Sequence, residues 1–300
     1  MFGRAVGAGP SKVSRRPLMP DDTRSDRLPG PRRRFIQGAF HTVVVSGVGY
    51  LWFWHLGEIA AKQRIAQKYG WFFNYMTFVT LTLQLIQYTL ALPTEIFKRV
   101  PRWWRRLVDD FGCALFGPVL FVTLSYYGLL FLPLDHLYGD DYQVSVLKTA
   151  VSSQKNSPHQ QQPACYSEDI CVPAWVPLGM HVGNSVAAVL DFMACIHQRT
   201  FSMRAEYGQT VITVGYTLWL MLCKSQTGSF PYPFMEELPL PWGFILTSVF
   251  MITSCELLFG FGRRMHLMFM HHQQLANMEG GFQRHRARLE YGDDQQSHEA

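Results

Sequence analysis

Charge is scarce in this chain where the chain is most apolar. Asp, Glu, Lys and Arg make up 16% of 300 residues, and they gather at the two ends and in a few short clusters. Between them lie six stretches of roughly 20 mostly apolar residues, the length that crosses a bilayer core of about 30 Å. They cover residues 35–56, 71–92, 111–132, 174–195, 207–224 and 242–262. A mean hydropathy of +0.00 would suit a soluble protein, but the average hides this segregation. Other absences narrow the chemistry. The six cysteines show no zinc-site spacing. A Gly-x-Ser-x-Gly elbow is missing, which excludes a soluble-type hydrolase core. No repeat at solenoid spacing is present. The first apolar run starts near Phe35 and is long enough to span, so a cleavable signal peptide is not expected.

What is present predicts an all-α, polytopic transmembrane helix bundle of six spans. Of the 27 Lys and Arg residues, 21 fall in residues 1–34, 93–106, 196–206 and 263–300, on one side of the alternating spans. Positive charge marks the cytosolic side, so both termini are expected there. The net charge of +5 then reflects topology, with the bilayer as partner and no nucleic acid. Residues 1–34 are rich in Arg, Pro, Gly and Ser and read as a disordered basic arm. Residues 35–262 form the membrane domain, and 263–300 a polar cytosolic tail. Cys165 and Cys171 lie in the loop 133–173, on the side away from the cytosol, where a disulfide between them is permitted.

Polar groups inside the spans are the functional candidates, because each is costly in lipid. On a 100° wheel, His181, Asn184, Ser185 and Ala188 share one face of the fourth span, with Gly179 and Gly183 beside it. Asp191 lies at the edge of that face, roughly 15 Å along the helix from His181 and too far to orient its imidazole. The second span carries a matching stripe of Asn74, Thr77, Thr80, Gln84 and Tyr88. Span threonines are most often bonded back to their own helix, yet a stripe of five polar groups faces protein or a cavity. Thr77 and His181 sit at similar depths from the non-cytosolic side, roughly 9 and 10 Å. A hydroxyl beside an imidazole is the nucleophile–base arrangement of acyl transfer. Spacing alone does not choose Thr77 over Thr80. Asn74 and Asn184, each one turn from a dyad member, are candidate oxyanion donors, with interhelical hydrogen bonding as their plainer role. His41, His55, Glu58, His181 and Glu256 are scattered over four spans or their flanks, so neither a metal nor another cofactor is expected.

Several motifs give a resemblance. Met76-Thr77-Phe78, Gly179-Met180-His181, Val214-Gly215-Tyr216-Thr217-Leu218-Trp219, Thr227-Gly228 and Tyr232-Pro233-Phe234 occur in order. In these residues the chain resembles the androgen-induced gene 1 family, which includes androgen-dependent tissue factor pathway inhibitor regulating protein, over roughly residues 70–262. The resemblance implies a six-span membrane hydrolase that cleaves fatty acid esters of hydroxy fatty acids, in the endoplasmic reticulum or plasma membrane. It places the family's threonine nucleophile on Thr77 and its histidine on His181. Two departures stand out. Pro177-Leu178 replaces a polar segment with a second histidine, and the loop 139–173 is long. The alternative is a non-catalytic lipid-binding or regulatory protein of the same fold.

Overall fold

The computed structural model describes residues 30–97, 99–131, 172–173, 175–195, 201–232, 234–237 and 239–298. Among them every long element is a helix. Pro31–Trp54 (α1, 24 residues) opens with a proline in its first turn, where the missing N–H has no intrahelical partner to lose. Met76–Ile96 (α2, 21 residues) and Arg102–Phe131 (α3, 30 residues) follow. Trp175–Cys195 (α4, 21 residues) is continuous but contains a π-helical turn, Gly179–Gly183. Met203–Thr227 (α5, 25 residues) is capped by Ser202, whose hydroxyl accepts the Ala205 N–H at 3.1 Å, and is stopped by Gly228 at φ 75°. Trp242–His298 (α6, 57 residues) runs far past the apolar stretch.

Among the described residues, three helices are both long and apolar enough to cross a membrane: Arg102–Gly128, Trp175–Cys195 and Trp242–Gly280. The chain is thus a membrane protein. α1, α2 and α5 have spanning length, but polar residues on their inward faces lower their average. Their outward faces are apolar. On α5, Val211, Leu218 and Leu222 are exposed while Gln209, Thr213 and Tyr216 are buried. This inversion is what a helix needs with protein on one side and acyl chains on the other.

Three boundaries differ most from those read in the sequence, the first being that α3 begins at Arg102 and not at 111. The second apolar stretch begins at 71, but α2 begins at Met76. Trp71–Asn74 is a separate 3₁₀ turn, entered through Gly70 at φ 88° and Trp71 at φ 50°. Hydropathy cannot register this break, since Trp71-Phe72-Phe73 is as apolar as any span. The polar stretch after 262 continues α6 as helix through His298. The basic arm before residue 30, the long loop 139–171 and Cys165 and Cys171 lie outside the described residues.

Helix α3 lies at the centre, packing on α2, α4, α5 and α6, while α1 packs on α2 and α4. Gly117 sets the tightest approach. A Cβ there would collide with the Gln209 side chain of α5 and lie 2.5 Å from the Cys255 carbonyl of α6. Backbone is present on one side, so the clash has no cheap relief. Gly117→Val is expected to destabilise the bundle by about 1–3 kcal/mol. A fall in the detergent melting temperature and in the monodisperse yield checks this.

Candidate active site

The polar stripes of α2 and α4 both point inward. Asn74, Thr77, Thr80, Gln84 and Tyr88 are all buried, as are His181, Asn184, Ser185 and Ala188. The helices meet directly. The Asn184 amide donates to Thr80 Oγ1 at 3.2 Å, and the Gln84 amide donates to the Asn184 carbonyl at 3.3 Å. A small pocket farther along is lined by Gln84, Gln87, Tyr88, Ala188 and Asp191. Residue numbers therefore rise together on the two helices, which run parallel. Thr77 and His181 each lie three residues before the Thr80–Asn184 contact and share one level. No direct hydrogen bond joins them among the described residues.

This level has a different origin from the one read in the sequence. Thr77 is the second residue of α2, not six residues into a span, because the helix starts at Met76. Its hydroxyl is set apart by that position. Thr80, Thr82, Thr89 and Thr94 donate to carbonyls one turn earlier, at 2.7–3.0 Å. For Thr77 the equivalent acceptors are the Phe73 and Asn74 carbonyls, and each already accepts a side-chain donor that competes with it. The Trp219 indole N–H donates to Phe73 at 3.0 Å, and the Tyr216 hydroxyl donates to Asn74 at 2.8 Å. Among the described residues, the Thr77 hydroxyl makes no hydrogen bond. The Tyr232 hydroxyl closes the arrangement, accepting the Met76 N–H at 3.2 Å and lying 3.1 Å from the Tyr216 hydroxyl. Burial holds the Tyr232 phenol above its ordinary pKa, so it stays neutral.

On α4, His181 sits inside the π turn, in which the Asn184 N–H reaches back five residues to the Gly179 carbonyl. The wider turn breaks the regular i→i−4 ladder and leaves the His181 carbonyl to accept the Thr123 hydroxyl of α3. The imidazole stacks on the Tyr126 ring, with centroids 3.6 Å apart and planes 8° from parallel. Gly179 lets α1 approach, since a Cβ there would lie 2.8 Å from Leu51. Tyr126 of α3 thus covers the ring, while Thr123 of the same helix and Leu51 of α1 hold the backbone of the turn.

The oxyanion candidates have other work. The Asn74 amide nitrogen donates to the Tyr69 and Trp71 carbonyls at 2.7 and 3.0 Å, locking the 3₁₀ turn. Asn184 bridges to Thr80. On α5, Thr213 and Thr217 are bonded back to their own helix, the common role of span threonines. A cavity of about 730 Å³, lined by Arg102, Trp103, Arg106 and Arg204 among others, lies at the other end of the bundle from Thr77.

Of the motif residues, Tyr216, Trp219 and Tyr232 bond the backbone at residues 73–76, where α2 begins, and His181 lies in the π turn of α4. A family model described as FAR-17a/AIG1-like protein matches residues 36–266. The chain belongs to this family. No curated protein and no solved structure matches it. The FAR-17a/AIG1-like match begins within α1 and ends within α6, so it takes in every long helix.

The sequence reading missed a second cluster. His41 of α1, taken there as isolated, lies 2.9 Å from Asp191, with Cys195 beside them. Gln37 and His41 are one turn apart on α1, as are Asp191 and Cys195 on α4. Those two i,i+4 pairs were the available signal.

Proposed function

We propose that this protein is an integral-membrane lipid hydrolase that cleaves fatty acid esters of hydroxy fatty acids, with Thr77 as nucleophile and His181 as base. The observation that carries the reading is the unengaged Thr77 hydroxyl at the level of His181, in a chain of the FAR-17a/AIG1-like family. A threonine whose local acceptors already accept from Trp219 and Tyr216 has its proton available to an outside base. In the proposed reaction His181 takes the Thr77 Oγ1 proton as the oxygen attacks the ester carbonyl. The hydroxy fatty acid leaves with that proton, giving an acyl-threonine. Water then attacks the acyl carbonyl, giving its proton to His181, which returns it to Thr77 as the free fatty acid departs.

The topology belongs to the same reading. Six spans with both termini cytosolic put the start of α2 and the π turn of α4 near the non-cytosolic surface. The substrate's alkyl chains stay among apolar side chains there, and water reaches the carbonyl from the interface. The membrane is that of the endoplasmic reticulum or the plasma membrane.

The test is ester hydrolysis by membranes expressing wild type, Thr77→Ala or His181→Ala at matched protein levels, with both products followed. Activity in the wild type alone supports the reading. Activity that survives Thr77→Ala overturns the nucleophile. No activity in any of them, from folded protein, favours a non-catalytic lipid-binding role and points to the Pro177-Leu178 departure.

The carbonyl arrangement gives its own prediction. Tyr216→Phe vacates the Asn74 carbonyl, which Thr77 can then occupy. The turnover rate is expected to fall roughly tenfold, equivalent to about 1.4 kcal/mol, while KM changes little. Steady-state kinetics on the variant checks it.

A further inference from the structure

We propose that His41, Asp191 and Cys195 form a binding site for a zinc-type divalent metal ion, with Glu95 positioning the histidine. The cluster stands apart from Thr77 and His181, since Asp191 follows His181 by ten residues, roughly 15 Å of helix. One ligand atom from each of the three residues lies within 4.8 Å of the others, and all three side chains are buried. Imidazole nitrogen, carboxylate oxygen and thiolate sulfur are the zinc donor set.

The surroundings point the same way. Glu95 Oε1 lies 3.6 Å from His41 Nδ1, while Asp191 Oδ1 lies 2.9 Å from Nε2. A carboxylate on the far ring nitrogen is the usual outer partner of a metal-bound histidine, fixing its tautomer. Nδ1 itself has no hydrogen-bond partner among the described residues, and an ion on Nε2 would put the ring proton on Nδ1, where Glu95 would accept it after a small approach. Cys195 Sγ lies 3.5 Å from Asp191 Oδ1, close to the edge of a tetrahedron built on bonds of about 2.0 and 2.3 Å. The His41–Asp191 pair must open by a few tenths of an ångström. Gln37 donates its amide to Cys195 Sγ at 3.3 Å, a bond that stabilises a thiolate. Gln37 Oε1 and Glu95 Oε2 are buried, with no hydrogen-bond partner among the described residues.

Charge favours the ion as well. A divalent cation with one carboxylate and one thiolate is neutral, which lowers the cost of burial. Binding releases the Cys195 thiol proton and any proton held between His41 and Asp191. α1 and α4 supply the ligands and α2 supplies Glu95, so the ion would tie three helices at the end of the bundle opposite Thr77.

The full chain, purified in detergent from zinc-supplemented cells and washed briefly with chelator, is expected to retain about one zinc per chain. Asp191→Asn and Cys195→Ser lose it, and Glu95→Gln weakens it by about 10–100-fold. Cobalt substitution should give a thiolate-to-cobalt charge-transfer band that disappears in Cys195→Ser and persists in Cys223→Ala. Zinc-edge absorption on the wild type alone should show one sulfur among nitrogen and oxygen neighbours, a readout independent of how the variants fold. A wild type that holds neither zinc nor cobalt overturns the proposal. So does a zinc-edge spectrum without sulfur, or a cobalt band unchanged by Cys195→Ser.

Discussion

Replacing Thr77 by alanine is expected to lower ester hydrolysis by on the order of 10³ or more, with the protein still folded. Alanine removes the nucleophile and leaves the helix start intact, because the Met76 N–H and the Phe73 and Asn74 carbonyls are held by Tyr232, Trp219 and Tyr216. Thr77→Ser keeps the hydroxyl and should retain activity within about tenfold of wild type. Thr80→Ala removes a hydroxyl already committed to the Thr77 carbonyl and to Asn184, and should spare far more activity. The contrast between these two alanines, one turn apart on one helix, separates a chemical role from a packing role. It is measured by product release per folded protein, with folding judged by gel filtration.

The second large effect concerns stability. Asp191→Ala removes the carboxylate beside His41 and leaves the imidazole, Gln37 and Glu95 buried around a void. Leaving a buried polar group without its hydrogen-bond partner typically costs about 1–3 kcal/mol, and the void adds to that. A strong loss of thermal stability in detergent is therefore expected from a residue far from Thr77. Activity per folded molecule should fall much less than in Thr77→Ala. A variant as stable as the wild type would show that the cluster is not holding α1 and α4 together.

The apolar stretches within the helices were legible because charge is excluded from them, while the charged helical ends at Arg102–Asp110 and beyond residue 262 were not. The inward faces were legible from the α-helical period, which holds from Thr77 to Tyr88. Where the backbone departs from that period, the sequence was silent. The 3₁₀ turn at Trp71–Asn74 lies within an unbroken apolar run, and it turns Asn74 from a presumed stripe residue into the lock of a turn. The π turn at Gly179–Gly183 has no hydropathic mark either, although glycines at both ends permit it. The motifs named these residues, but not how they are held. Tyr216, Trp219 and Tyr232 matter through the carbonyls and N–H they occupy, 142–156 residues away in sequence. The His41–Asp191 contact spans 150 residues, and nothing local announces it.

The central claim, that Thr77 is the nucleophile, is tested most directly by covalent capture. Wild-type membranes would be treated with an acyl-directed alkyl phosphonate, and the modified peptide located by mass spectrometry. The account predicts a single phosphonyl adduct on Thr77, absent in Thr77→Ala and strongly slowed in His181→Ala. An adduct on another residue, or hydrolytic activity that the reagent leaves untouched, would contradict it.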